Sequence, residues 1–295
     1  KYLTPYVEEK IKGLKEKMMR LDPVNFGEAG FFLAQEIQKD NRAFLEKIGI
    51  NYDAVTAEEE DLVKSGLIKK TLALLKKKGF VYEKDGAQWL KTTEFGDDKD
   101  KVVVRSNGGH GYYLADIAYH QNKIKRNFKV IIDIFGADHQ GHVGPMKVAM
   151  EILGYRGKFD ILVSQLVQAK GGGKFSKRAG NIVLLEDLVG EVGVDAARFF
   201  YLAKSLDTQM EFDMDLAKEQ SAKNPVYYVQ YAHARMQSIL AKAPSSKKST
   251  NYKLLNHPLE LNLIKYVLRW PEVVEDTAKD YQLQRVTGYA YDLAT

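Results

Sequence analysis

The 295 residues include 44 Lys and Arg against 39 Asp and Glu, a formal net charge of +5, and 45% of them are hydrophobic. This allows one large domain or two modest ones with a real core, and the mild basic excess is compatible with nucleic acid without pointing to it. There is no cysteine, which excludes disulfides and thiolate metal sites and fits a reducing compartment, and no apolar run reaches the roughly 18 residues that a membrane span needs.

In chain order, Tyr6 to Arg20 reads as a charged helix. Glu28 to Ile48 reads as a second, with Phe31, Phe32, Ala34, Ile37, Phe44 and Leu45 forming its apolar stripe. The stretch from Thr56 to Phe80 is expected to be one helix, opened by a capping box of Thr56 and Glu59 and stopped at Gly79. From Val81 the period changes, and the Lys84-Asp85-Gly86 turn between aromatic and β-branched residues predicts a hairpin. "KVVVRS" (101–106) is a further strand, and "YYLADIAYHQNKI" (112–124) is helical. Val130 to Phe135 is expected to be a buried strand, followed by a glycine-rich corner, an amphipathic helix to Leu153, and a strand over "FDILVSQLVQ" (159–168). This order is the grammar of a doubly wound α/β sheet.

After about residue 195 the patterns are helical throughout, with Asp195 a suitable N-cap and a polar stretch, "PSSKKSTN" (244–251), before the last helices. The expected division is therefore an α/β domain over 1–194 and an all-α domain over 195–295.

Three places could carry chemistry. Gly136, Ala137, Asp138, His139, Gln140, Gly141 and His142 lie where a strand end meets a helix start, the usual ligand position of a parallel sheet. Two histidines and an aspartate there could hold a metal, but no third well-spaced ligand is evident. A structural turn and a nucleotide pocket are the other readings. Tyr112 and Asp116 are one helical turn apart, so a carboxylate and a tyrosine share a face that could orient a cation; a solvated surface aspartate is the plainer reading. Finally, "QAKGGGKFSKRAGNIVLL" (168–185) joins three glycines to a cluster of positive side chains. It is not a P-loop, because Phe175 follows Gly173-Lys174 and Gln168 stands where the first glycine should be. What remains is a glycine-hinged loop whose lysines can close on a triphosphate, or a solvated charge run.

Together these features resemble the class I aminoacyl-tRNA synthetases. "KFSKR" is similar to the KMSKS signature with Phe175 in place of Met, and "FGADHQGH" to the nucleotide corner of the class. "VYEKDGAQWLKTTEFGDDKDKVVVRSNGGHGYYLADIAYH", "GGGKFSKRAGNIVLLEDLVGEVGVDAARFFYL" and "MEFDMDLAKEQSAKNPVYYVQYAHARMQSIL" resemble the bacterial-type arginyl-tRNA synthetases, over essentially residues 26–295.

The resemblance implies a Rossmann-like catalytic domain followed by an all-α anticodon-binding domain. It also implies activation of arginine with ATP and Mg2+, then transfer to tRNA(Arg), in a cytoplasmic enzyme with no membrane partner that is a monomer at full length. By motif, Tyr112, Asp116 and His139 fall on the arginine side, and Gly136, Asp138 and His142 on the ATP side. Lys174, Ser176 and Lys177 match the catalytic loop over the phosphates, and Tyr227, Tyr228, Gln230 and Tyr231 lie on a helix expected to meet tRNA. No resident metal site is implied.

The family's other signature, HIGH, is missing. "HQGH" (139–142) imitates it but sits too close before the lysine loop, inside the nucleotide corner. The chain begins with Lys1 and no signal-peptide pattern follows, so it is expected to be an internal fragment. The HIGH segment is expected before Lys1 and more of the helical bundle after Thr295, and the fragment by itself is expected to be inactive. The alternatives are a non-catalytic RNA-binding paralogue that keeps the fold and another nucleotidyl transferase of the superfamily.

Overall fold

The structure, a computed structural model, describes residues 5–18, 26–170, 184–243 and 251–295. In chain order the elements are α1 (Pro5–Met18), α2 (Phe26–Lys47), a π-helical turn (Glu58–Lys64) and α3 (Leu67–Lys77), then β1 (Val81–Lys84), β2 (Ala87–Leu90), β3 (Lys101–Val104), α4 (Tyr112–Lys125) and β4 (Val130–Gly136). A short 3-10 turn (Ala137–His142) leads to α5 (Val143–Leu153), β5 (Lys158–Ser164), β6 (Val167–Ala169), α6 (Leu185–Val192), α7 (Val194–Leu202) and β7 (Met210–Phe212). Among the described residues the chain closes with α8 (Met214–Lys218), α9 (Pro225–Lys242), α10 (Pro258–Leu268), α11 (Trp270–Asp280) and α12 (Gln284–Ala294).

Two compact units result. One comprises 54–166 with 206–209, and the other 1–53, 167–205 and 210–295. In the first, β1, β2 and β3 form an antiparallel sheet and β4 pairs in parallel with β5 from Val130↔Lys158 to Gly136↔Ser164. Leu75, Leu90, Val103, Leu114, Ile117 and Met146 fill its core with almost no exposed surface. Each such side chain contributes roughly 1.5–3 kcal/mol by burial. In the second unit β6 and β7 pair in parallel, and Ile48 and Leu188 pack with Met210 and Phe212 of β7 in its core.

Local signals were obeyed where backbone chemistry decides. Asp85 and Gly86 take φ of 53° and 71°, the left-handed pair that a two-residue hairpin demands. Gly79, at φ 78°, ends α3: its own N–H reaches the Lys76 carbonyl and that of Phe80 the Leu75 carbonyl, a Schellman motif.

Other expectations are corrected. The Thr56–Glu59 capping box does not form. The helical turn starts at Glu58 with Ala57 before it, and the Asp61 carboxylate accepts from the Ala57 N–H at 2.7 Å instead. The expected single helix is broken at Gly66, which sits at φ 73° before α3. β4 is not buried throughout: Ile131 and Asp133 face inward, whereas Val130, Ile132 and Ile134 are exposed on the other face. "FDILVSQLVQ" is two strands, because β5 ends at Ser164 and β6 pairs in the other unit. Strands do not stop at 195, since β7 follows, its Met210 and Phe212 buried around an exposed Glu211. Asp195 is not an N-cap: Gly193, at φ 81°, precedes α7, and Asp195 lies inside its first turn.

Candidate functional site

α4 positions the first two candidates. It starts at Gly111, whose N–H donates to the Val103 carbonyl at 2.9 Å. A Cβ on Gly111 would meet the Val102 carbonyl oxygen at 3.0 Å, so a glycine lets the helix start hard against β3. Leu114, Ile117 and Ala118 are fully buried along its inner face, and the Tyr113 hydroxyl donates to the Pro145 carbonyl of α5 at 2.5 Å. Burial, ahead of the nearby Asp97 and Asp116, pushes the Tyr113 hydroxyl well above the ordinary phenol range.

Asp116 is half-buried one turn along. Burial raises its carboxyl above the usual value, and the neighbouring His120 and His142 work against that rise. Asp116 and His142 are therefore within electrostatic reach of one another, which brings α4 to the corner after β4. Tyr112 lies exposed at the helix start with the Arg105 guanidinium over its ring, 5.6 Å from the centroid. The face of this tyrosine already holds a guanidinium.

The corner itself is open to solvent. His139 Nε2 lies 3.8 Å from Asp138 Oδ2, and the His139 and His142 rings are 5.6 Å apart. Asp138 folds back over Gly136, where a Cβ would meet its Oδ1 at 2.6 Å. Any side chain at 136 would displace that carboxylate. Lys174, Ser176 and Lys177 lie outside the described residues.

Sequence reasoning missed a buried cluster on β4, the strand that leads into this corner. Asp133 of β4 and His120 of α4 are almost wholly buried, with Asp133 Oδ2 2.6 Å from His120 Nε2. Lys123 Nζ donates to Asp133 Oδ1 at 2.6 Å. His120 Nδ1 lies 2.8 Å from the Asp116 carbonyl oxygen. Burial works to raise the Asp133 carboxyl, but hydrogen bonds from His120 and Lys123 outweigh it and hold the group below its usual range. The signal was present as a lone carboxylate inside the apolar run "VIIDIF".

In the other unit, α9 begins at a complete cap. Asn224 Oδ1 accepts from the N–H groups of Val226 and Tyr227, while its Nδ2 donates to the carbonyls of Ala217 and Glu219. Tyr227 and Tyr231 stack nearly parallel on its exposed face, with centroids 6.3 Å apart and planes at 14°. Tyr228 turns onto Tyr291 of α12, and Gln230 donates to Asp195 at 2.9 Å.

Two family descriptions match the chain. The catalytic domain of the class I tRNA synthetases (R) matches residues 31–241, and the DALR anticodon binding domain matches 229–295. The chain belongs to the arginyl-tRNA synthetase family. An arginine–tRNA ligase of Moorella thermoacetica is 46% identical over 275 residues, which cover 90% of this chain and 49% of that relative. One from Oceanobacillus iheyensis is 46% identical over 245 residues, covering 80% and 44%. The chain thus spans about half the length of the curated relatives it matches.

A crystal structure described as an arginyl-tRNA synthetase of Campylobacter jejuni superposes with a TM-score of 0.87 at 32% identity, covering 99% of this chain and 66% of that one. The arginyl-tRNA synthetase of Thermus thermophilus, with a TM-score of 0.74 at 20% identity and coverage of 94% and 59%, agrees in fold. The α/β class expected from the sequence is that of an arginyl-tRNA synthetase: a class I catalytic domain followed by a helical anticodon-binding domain.

Proposed function

We propose that this chain serves an arginine–tRNA ligase, which activates arginine with ATP and transfers it to tRNA(Arg). The observation that carries the reading is the order of two matches on one chain, a class I arginine-type catalytic domain and then an anticodon-binding domain. We assign chemistry to 1–194 and tRNA contact to the helices from 195; the catalytic match itself runs to 241 and the anticodon-binding match starts at 229, so the two overlap inside α9. The enzyme is proposed to be cytoplasmic and monomeric; among the described residues no helix is long and apolar enough to cross a membrane. No observation favours the non-catalytic RNA-binding alternative.

In this reading Asp116 takes the substrate guanidinium through a charge-assisted pair, with Tyr112 one turn before it on the same side and His139 a contact at the rim. A half-buried carboxylate is suited to this task, because a cation entering the site restores the interaction that burial removed. Gly136, Asp138 and His142 form the ATP side. The glycine allows close approach, and the exposed carboxylate and imidazole can meet hydroxyls or a base edge. Mg2+ bound with ATP would neutralise phosphate charge. Lys174, Ser176 and Lys177 are assigned to the phosphates, where preorganised donors stabilise charge that develops in the transition state. Tyr227, Tyr228, Gln230 and Tyr231 are assigned to the tRNA side, with the stacked Tyr227–Tyr231 pair a platform for an unpaired base.

Arginine-dependent ATP–pyrophosphate exchange in the complete enzyme, with tRNA(Arg) present, tests the proposal. Lys177→Ala is expected to lower kcat by roughly 10²–10³ with the arginine KM little changed. No exchange with arginine in the wild type would overturn the function. A large rise in the arginine KM at unchanged kcat would overturn the role of Lys177.

A further inference from the structure

We propose that Asp133 is a positioning residue of the arginine site, acting through His120 and Lys123 to set the rotation and register of the α4 turn that carries Asp116. This rests on the reading of Asp116 as the guanidinium partner.

The geometry is specific. One carboxylate uses both oxygens, each at 2.6 Å, on two side chains of a single helix turn. A carboxylate bound at two points to residues three apart opposes both rotation and sliding of that helix. The third link runs back to Asp116: His120 Nδ1 lies 2.8 Å from its carbonyl, while Nε2 faces Asp133. Both ring nitrogens lie within hydrogen-bond distance of an oxygen, which fixes the ring between β4 and its own helix. Two side chains of α4 thus meet one carboxylate, with the His120–Asp133 contact buried and Lys123 at the rim, its side chain 15% exposed.

Stability does not account for such a cluster, because well-packed apolar residues commonly replace buried ion pairs without loss. Direction does. β4 is held along its whole length by its ladder to β5, which makes it the fixed partner and α4 the part to be aligned. A guanidinium–carboxylate pair tolerates little misplacement, so the turn bearing Asp116 needs such an alignment.

A double-mutant cycle on arginine binding, measured by calorimetry in the complete enzyme, tests the proposal. Asp133→Asn is expected to weaken arginine by roughly ten- to hundredfold while ATP affinity stays unchanged. Lys123→Met should weaken arginine in the same direction and Lys123→Arg should preserve binding. The double variant Asp116→Asn/Asp133→Asn should bind arginine no more weakly than Asp116→Asn alone, since Asp133 acts through Asp116. Additive losses in the double variant overturn the proposal, as does unchanged arginine affinity in Asp133→Asn beside a loss in Asp116→Asn. An equal loss for ATP and arginine also overturns it, because that marks general structural damage. If Asp116→Asn alone changes nothing, the pocket assignment itself falls. Should Asp133→Asn not fold, Lys123→Met takes its place in the cycle.

Discussion

α4 and α9 both carry a tyrosine pair in their first turn and are both assigned to a ligand, yet they are held differently. α4 is fixed on several sides: Gly111 against β3, Tyr113 against α5, Gln121 receiving the Thr71 hydroxyl of α3 at 2.7 Å, and His120 with Lys123 against β4. α9 is anchored at its start by Asn224 and Val226 and by Tyr228 on α12, while Met236, Ile239 and Leu240 are exposed further along. The contrast follows the tasks proposed. A small rigid cation needs a carboxylate placed to a fraction of an ångström, so its helix is clamped at several points. A base stacking on tyrosine tolerates sliding, because any aromatic face will serve.

The largest expected effect separates the helices by burial. Leu114→Ala, at a fully buried position of α4, should cost about 2–5 kcal/mol in denaturant unfolding, whereas Leu240→Ala on α9 should stay within about 0.5 kcal/mol. Similar costs at the two positions would break the comparison.

The second test concerns the anchor of α9. Asn224 is buried and makes four hydrogen bonds, two as acceptor and two as donor. Asn224→Ala removes the cap and leaves two carbonyls without their donor, for a loss of about 2–4 kcal/mol. Asn224→Asp should recover part of this, because it keeps the acceptor and loses the donors. Melting curves with the Tyr227–Tyr231 pair as a near-ultraviolet probe would show both effects. An Ala variant as stable as wild type would mean that α9 is held elsewhere.

A third test uses two carboxylates whose shifts have opposite sign, Asp116 of α4 and Asp133 of β4. The Asp116 carboxyl is raised in the folded state, so its contribution is most favourable below the ordinary value of 3.8 and is lost as pH rises through the folded value. At neutral pH it is a liability, and Asp116→Asn should raise Tm there while weakening arginine binding. The gain should vanish on acidification. The Asp133 carboxyl is lowered, so its contribution is present above 3.8 and is lost as pH falls through the folded value. Asp133→Asn should therefore lower Tm at neutral pH, with the gap closing in acid. Profiles of the same sign for both variants would refute the assigned environments.

Much of the candidate site was legible before any fold was known. Tyr112, Asp116 and the 136–142 corner fall on the elements their spacing demanded, a helix face and a strand-to-helix turn. Those features are local: period 3.6, period 2 and glycine at turns are imposed within a few residues. The Asp85-Gly86 turn and the Gly79 stop were readable for the same reason, since positive φ restricts the residue at that position itself.

Sequence alone therefore determined the family resemblance, the order of helices and strands in outline, and the turns that backbone sterics dictate. Tertiary structure decided the rest, where a residue's role depends on a partner that no local pattern names. Asp133 could have been a lone mispatterned residue until α4 brought His120 and Lys123 to it. Asp195 reads as a cap until Gly193 opens the helix and Gln230, 35 residues away, takes its carboxylate. The three residues of β7 are too few to show a period, and they are a strand because β6 supplies the ladder they pair with. Hydrogen-bond partners of buried polar groups and of short strands are chosen by distant chain, so only the folded chain can name them.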